Sequence, residues 1–290
     1  MNPEPLILGH NQFFGVNHGS AARGLERELY FGKVENVMEI VRAAHGEGVR
    51  CMMLSTHIRA RDIARAISED PVLSEEMSIY VLLPYMAKYV RMANQKGLLS
   101  MVSEILGSGG WSSKLNFALE AGVGIVRRDQ LSMLESLIEM ELAPFRGLKV
   151  RAVFLHNALS DLIAALELTD IARFFVQSIA SKLGAEGGFC TLSMRLVSRF
   201  LHRSGIENPL IMAPFNPAGF QMSPGRKECE EDLVNYPARV VAMSVLAAGM
   251  VKPSDAAQYL KSIGIKSAVV GASSTRHVRE SFKEIGAALK

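Results

Sequence analysis

Cysteine is scarce in this chain. Cys51, Cys190 and Cys229 are its three, an odd number set far apart. Two of them lie inside apolar, strand-like runs. A disulfide framework is therefore excluded, and a reducing, cytoplasmic setting is expected. Long hydrophobic runs are missing as well, and no window approaches the roughly 18 apolar residues of a membrane span. The opening MNPEPLILGH has no basic segment followed by a long apolar one, so neither secretion nor membrane attachment is expected. Charge of one sign is not in excess: 32 basic and 29 acidic residues leave a net +3, spread along the chain. Nucleic-acid partners normally require a concentrated basic face, and none is expected here. The local cluster IRARDIARAI (58–67) spaces Arg59, Arg61 and Arg65 as a solvated helix face.

Several chemical signatures are also absent. There is no Gly-x-Ser-x-Gly elbow for a serine nucleophile, no His-x-His pair and no His-Glu-x-x-His helix for zinc. Lysine is missing from every strand terminus, which removes the usual Schiff-base donor; Lys88 is the nearest.

What the chain has is apolar residues, 49% of 290, arranged in a regular rhythm. Short apolar runs alternate with longer amphipathic segments, the pattern of repeated βα units around a parallel sheet. Strands are expected at 6–13, 49–56, 78–85, 150–157, 188–194, 209–216, 240–247 and 267–273. Eight such units make a (β/α)8 TIM barrel, and residues 1–290 fit one barrel domain. The helix over 34–48 puts Val34, Val37, Met38, Val41 and Ala44 on one stripe and ends at glycine. A second helix over 169–184 has a Thr-Asp start as a capping candidate and Gly184 as its stop. Residues 86–149 exceed one crossover and point to an extra segment between the third and fourth strands. Within them AGVGIVRRD (121–129) reads as a ninth strand, with Arg127, Arg128 and Asp129 at its end. Two long loops, 15–33 and 216–232, are expected to wall the site.

Barrel active sites lie at the carboxyl ends of the strands. Those ends carry His10, Asn11 and Gln12; Ser55, Thr56 and His57; Pro84 and Tyr85; His156 and Asn157; Ser193; Phe215 and Asn216; Ser244; and Ser273 and Ser274. Histidine is the usual proton carrier near neutral pH, which makes His10, His57 and His156 catalytic candidates, with Tyr85 as a further acid and His18 reaching in from the first loop. The same three imidazoles leave open a divalent metal such as zinc. Beyond the last two strands, small-residue turns lead into helices and expose backbone N–H groups, a site for phosphate.

Several segments resemble the aldo-keto reductase superfamily. LILGHNQFFG is similar to that family's first strand and turn, GEGVRCMMLST to its second strand, VFLHN to its fourth and PFNPAG to its sixth. AMSVLAAG resembles its Ser-Pro-Leu-Gly turn, and VVGASSTRHVRESF its closing phosphate motif. The resemblance implies hydride transfer from NADP or NAD to a carbonyl, with a tyrosine acid tuned by aspartate, lysine and histidine. Carried onto this chain, the histidine is His156. The aspartate falls on Ser55, or on Met53 without a gap, the tyrosine among Ile58 to Ala60, and the lysine on Pro84. For the cofactor it implies Ser193, Phe215 as the aromatic that stacks on the nicotinamide, Asn216, Ser244 and Leu246. The closing motif adds Gly271, Ser273, Ser274, Arg276 and Glu280. Met194 and Met212 stand where the family has amide side chains, and Ser281 where it has an asparagine. The expectation is an oxidoreductase acting on a small carbonyl compound with an altered proton relay. The alternative is a lyase, isomerase or hydrolase of a phosphorylated small molecule, metal-assisted by His10, His57 and His156. A non-catalytic ligand-binding barrel is the third reading. The sequence carries no signal for the number of subunits.

Overall fold

The computed structural model describes residues 2–16, 21–84 and 128–290. Strands β1 (Leu6–Gly9), β2 (Cys51–Ser55), β3 (Ser78–Leu83), β4 (Lys149–Leu155), β5 (Glu186–Cys190), β6 (Leu210–Pro214), β7 (Arg239–Met243) and β8 (Ala268–Gly271) follow one another in chain order. They close into a single parallel barrel in which β8 returns to β1. The seam pairs Leu6 with Ala268, Ile7 with Val269, Leu8 with Val270 and Gly9 with Gly271. The (β/α)8 architecture is that expected from the sequence rhythm.

Alternation along each strand sorts the side chains into two cores. The lumen holds Ile7, Cys51, Met53, Tyr80, Ala152, Phe154, Cys190, Leu210, Met212 and Val241. The alternate residues, such as Leu8, Leu54, Val153, Ile211 and Val270, pack outward against the helices in a larger apolar layer. All three cysteines are buried and free. Among the described residues no helix is long and apolar enough to cross a membrane.

Several expectations change. The strands are shorter than the apolar runs, because polar residues at their ends turn into caps and helices. Asn11–Phe14 is a short 3-10 turn rather than strand, and Ser193 caps a helix at Met194–Arg203. The two long loops carry helices of their own, Ala21–Tyr30 and Arg226–Asn235. The ninth strand is corrected in part: Arg128 and Asp129 open a helix, Arg128–Leu142, while 121–127 lie outside the described residues. Thr169 does not cap its helix. The N-cap is Leu168 with no side-chain bond, and the Thr169 hydroxyl pairs with Ser204 Oγ at 2.9 Å. Gly184 does end that helix, in the left-handed conformation at φ 60°.

The glycine pair on β5 shows how tightly the layers meet. A Cβ on Gly187 would come within 2.9 Å of Val176 Cα on the helix Thr169–Leu183, and one on Gly188 within 2.8 Å of the Phe154 ring in the lumen. Overpacking of this kind costs about 1–3 kcal/mol. Gly188→Ala is therefore expected to lower the unfolding free energy measured in urea by that amount. Gly46→Ala, with open space around it, is expected to hold or raise stability in the same measurement.

Candidate active site

The strand ends converge on the barrel mouth, and three histidines stand there. His10 directly follows β1 and is 6% exposed. Its ring hydrogen-bonds to the Met53 backbone on neighbouring β2, while its Nδ1 is buried without a partner. Burial drives its pKa down to about 3, helped by the fields of His57 and His156, so the ring is neutral. His156 follows β4. Its Nδ1 accepts the Ala158 amide at 3.3 Å, capping the helix Asn157–Ala165, and burial lowers its pKa. A neutral ring whose Nδ1 is an acceptor carries its proton on Nε2, so His156 offers an N–H donor. His57 is arranged alike. Its Nδ1 accepts the Arg59 amide at 3.2 Å, and its ring stacks on Phe14 with centroids 4.4 Å apart.

Ser55, the last residue of β2, has the inward register of Cys51 and Met53. Its Oγ is buried with no partner. Two unsatisfied polar atoms, on His10 and Ser55, thus sit at adjacent strand ends. Buried polar groups are nearly always hydrogen-bonded, and these two atoms are exceptions.

Ser193 is half-buried, and its side chain makes no capping bond. Its backbone amide is held by Thr191 Oγ1 at 2.8 Å, and Thr191 in turn hydrogen-bonds to Asp161. The Asp161 carboxylate, pushed up by burial, also accepts the Leu192 and Ser193 amides. Asp161 and Thr191 went unnoticed in the sequence, where an aspartate on a crossover helix and a threonine past a strand look ordinary.

Phe215 and Asn216 are corrected. The Phe215 ring is fully buried in the outer apolar layer and has no face open to a nicotinamide. Asn216 is fully buried and closes its own loop, donating to the Phe220 carbonyl at 2.9 Å and accepting the Phe220 amide at 2.8 Å. Phe215 is turned outward because Leu210 and Met212 face the lumen, and alternation sends a residue five positions beyond Leu210 to the other side.

Beyond β7 the chain adopts left-handed conformations that L residues rarely accept: Ser244 at φ 54°, Ala247 at 45° and Ala248 at 57°. The Ser244 hydroxyl donates to Gln221 Oε1 at 3.0 Å, and the Leu246 carbonyl accepts the Gly249 and Val251 amides. Beyond β8, Ser274 caps the helix Thr275–Ala288 by accepting the His277 amide, and Ser273 Oγ lies 3.1 Å from His277 Nδ1. The first N–H groups of such a helix have no partner within it and favour an anion. Arg276 is exposed and pairs with Glu280 at 2.7 Å. Gly271 has a different reason to be glycine. A Cβ there would fall 2.6 Å from Gln12 Oε1, and Gln12 donates to the Gly9 carbonyl at 3.1 Å and the Ala272 carbonyl at 2.8 Å.

These residues fit a dinucleotide unevenly. The turns after β7 and β8 carry small residues and a helix N-terminus that suit phosphates, whereas of the residues the resemblance assigns to the nicotinamide Phe215 is closed off and Ser193 is half-buried. The metal alternative fits less well: among the described residues no three His, Cys, Asp or Glu side chains are grouped to hold an ion, so His10, His57 and His156 do not make a ligand set. Tyr85, His18 and Lys88 lie outside the described residues.

No family model and no curated protein matches the chain. Solved structures do. A Pseudomonas aeruginosa protein classed as an aldo-keto reductase is 14% identical, with a TM-score of 0.63 over 99% of this chain and 92% of its own. An aldo-keto reductase enzyme from a deep-sea metagenome library is 11% identical, with a TM-score of 0.57 over 99% and 91%. A glycerol dehydrogenase from Gluconobacter oxydans is 13% identical, with a TM-score of 0.54 over 98% and 90%. What the chain shares with these structures is the fold, a (β/α)8 barrel.

The neutral state of His10 sets a pH dependence. In the unfolded chain its imidazole takes up a proton below about pH 6.5, while the folded ring stays neutral down to about 3, so acid favours unfolding. Between pH 6 and pH 4 this one group is expected to remove up to about 1.4 kcal/mol of stability per pH unit. Urea unfolding of His10→Gln over the same range should show a slope smaller by that amount.

Proposed function

We propose that the chain is a divergent member of the aldo-keto reductase superfamily, an NAD(P)-dependent, cytoplasmic oxidoreductase that acts on a small carbonyl compound through an altered proton relay. The observation that carries this reading is His156. It lies in the VFLHN segment that resembles the family's fourth strand, neutral, with its Nε2–H as a donor. The similarity in fold is analogy, and the reaction is argued from the site.

Reduced nicotinamide, when bound, supplies hydride to the carbonyl carbon. On this chain Ser273, Ser274 and the first turn of the following helix would take a phosphate, and Arg276 would pair with it by leaving Glu280. The turn through Ser244 and Leu246 would wall the cofactor, and the Ser193 hydroxyl would bond its amide. His156 would hold the carbonyl oxygen by a neutral N–H, polarising it without a formal charge. By the resemblance the tuning aspartate falls on Ser55, or on Met53 without a gap, and the lysine on Pro84, so the pair that lowers a phenol's pKa would be missing. Half-buried His57 would then carry the proton between solvent and the oxygen.

Titration with NADPH and NADH, followed by nicotinamide fluorescence on protein assayed for metal, tests the class. Saturable binding by metal-free protein is expected. No binding of either nucleotide together with stoichiometric zinc would overturn the reading in favour of the metal-assisted alternative. His156→Ala is expected to lower kcat/KM by about 100-fold or more with nucleotide affinity unchanged. Full activity in that variant would move the chemistry to another pocket.

A further inference from the structure

We propose that His10 Nδ1 and Ser55 Oγ form a hydroxyl-binding subsite at the β1–β2 corner of the mouth, and that the substrate is a carbonyl compound bearing an alcohol group. The substrate class rests on the oxidoreductase reading; the subsite does not. It rests on two side chains, 6% and 3% exposed, whose polar atoms are buried and have no partner.

The chemistry of the two atoms selects the ligand. The His10 ring hydrogen-bonds to the Met53 backbone carbonyl, which only accepts, so the nitrogen facing it carries the ring proton. Nδ1 is without a partner, so that nitrogen is Nε2. In the neutral ring Nδ1 is then a bare acceptor. It cannot bond a carbonyl, carboxylate or phosphate oxygen; it requires an O–H or N–H from the ligand. Ser55 Oγ has one proton to give and lone pairs to accept with. An alcohol satisfies both atoms at once, donating its proton to His10 Nδ1 and accepting the Ser55 proton on its oxygen. An ammonium group can donate to His10 Nδ1 and to the Ser55 oxygen, but it leaves the Ser55 proton without an acceptor.

The corner also lies next to the donor assigned to the carbonyl. His156 is near enough to act electrostatically on His10, as is His57. A ligand small enough for the mouth therefore presents its carbonyl oxygen to His156 and its hydroxyl to His10 and Ser55. A site built to bond a hydroxyl rejects the analogue that lacks it, because the buried groups are left unpaired.

The test uses the full chain labelled with nitrogen-15 in histidine, without nicotinamide, and two probes of equal heavy-atom number: hydroxyacetone and butanone. The His10 Nδ1 resonance, assigned by its loss in His10→Gln, is expected at the position of an unprotonated nitrogen. Hydroxyacetone should shift it in the direction of hydrogen-bond acceptance, and butanone should leave it in place. Ser55→Ala should weaken hydroxyacetone about tenfold, the loss of one hydrogen bond, without altering butanone. Equal shifts with both probes, a protonated Nδ1, or no shift with either would overturn the subsite and assign the two atoms to trapped water. The shift with hydroxyacetone in a protein that binds no nicotinamide would keep the subsite and remove only the redox chemistry.

Discussion

The mouth of the barrel exists because β1 and β8 pair. Four residues at each end of the chain form that seam, and Gln12 ties its upper end by donating to the carbonyls of Gly9 and Ala272. Closure brings His10, from the first strand, onto the same rim as Ser273 and Ser274, from the last. It also sets the inward direction of every strand, and with it which residue at each end can reach a ligand. Ser55 follows the register of Cys51 and Met53 inward; Phe215 follows Ile211 and Ala213 outward. One geometric condition therefore selects the site from a longer set of polar strand ends.

Burial at this rim then decides the protonation of its members. Burial keeps the His10 ring neutral and lowers the pKa of half-buried His156, and in each neutral ring the proton is assigned by a backbone group: the Met53 carbonyl for His10 and the Ala158 amide for His156. The two rings end with opposite characters, one presenting a bare nitrogen and the other an N–H. A site with an acceptor and a donor at fixed places orients a bifunctional ligand without any charged side chain.

Much of the fold was legible because the strand rhythm is local. Apolar runs such as VRCMMLST and SIYVLLPY announce strands by composition, and the parallel barrel follows from their number and spacing. Their ends were less legible. LILGHNQF reads as one strand, but the polar His10 and Asn11 leave it for a 3-10 turn. The histidines could be found because strand ends converge in this architecture. Their tautomers could not, since these depend on carbonyls and amides brought near by folding. Asp161 could not be read either, because its partners Thr191 and Ser193 lie on the next βα unit. Gly271 misled for a related reason: its neighbour in sequence is a phosphate motif, but its neighbour in space is Gln12.

The staple from Gln12 to Ala272 spans 260 positions of the chain. On a growing polypeptide β1 is made long before its partner β8 arrives. Until then the growing sheet has two open edges, and unpaired edges are templates for association with other chains. Topologies dominated by such distant pairings fold slowly, because loop entropy is lost before the contact is gained. The β1–β8 seam is thus the one whose two strands become available furthest apart, and the interval between them leaves both edges open to association.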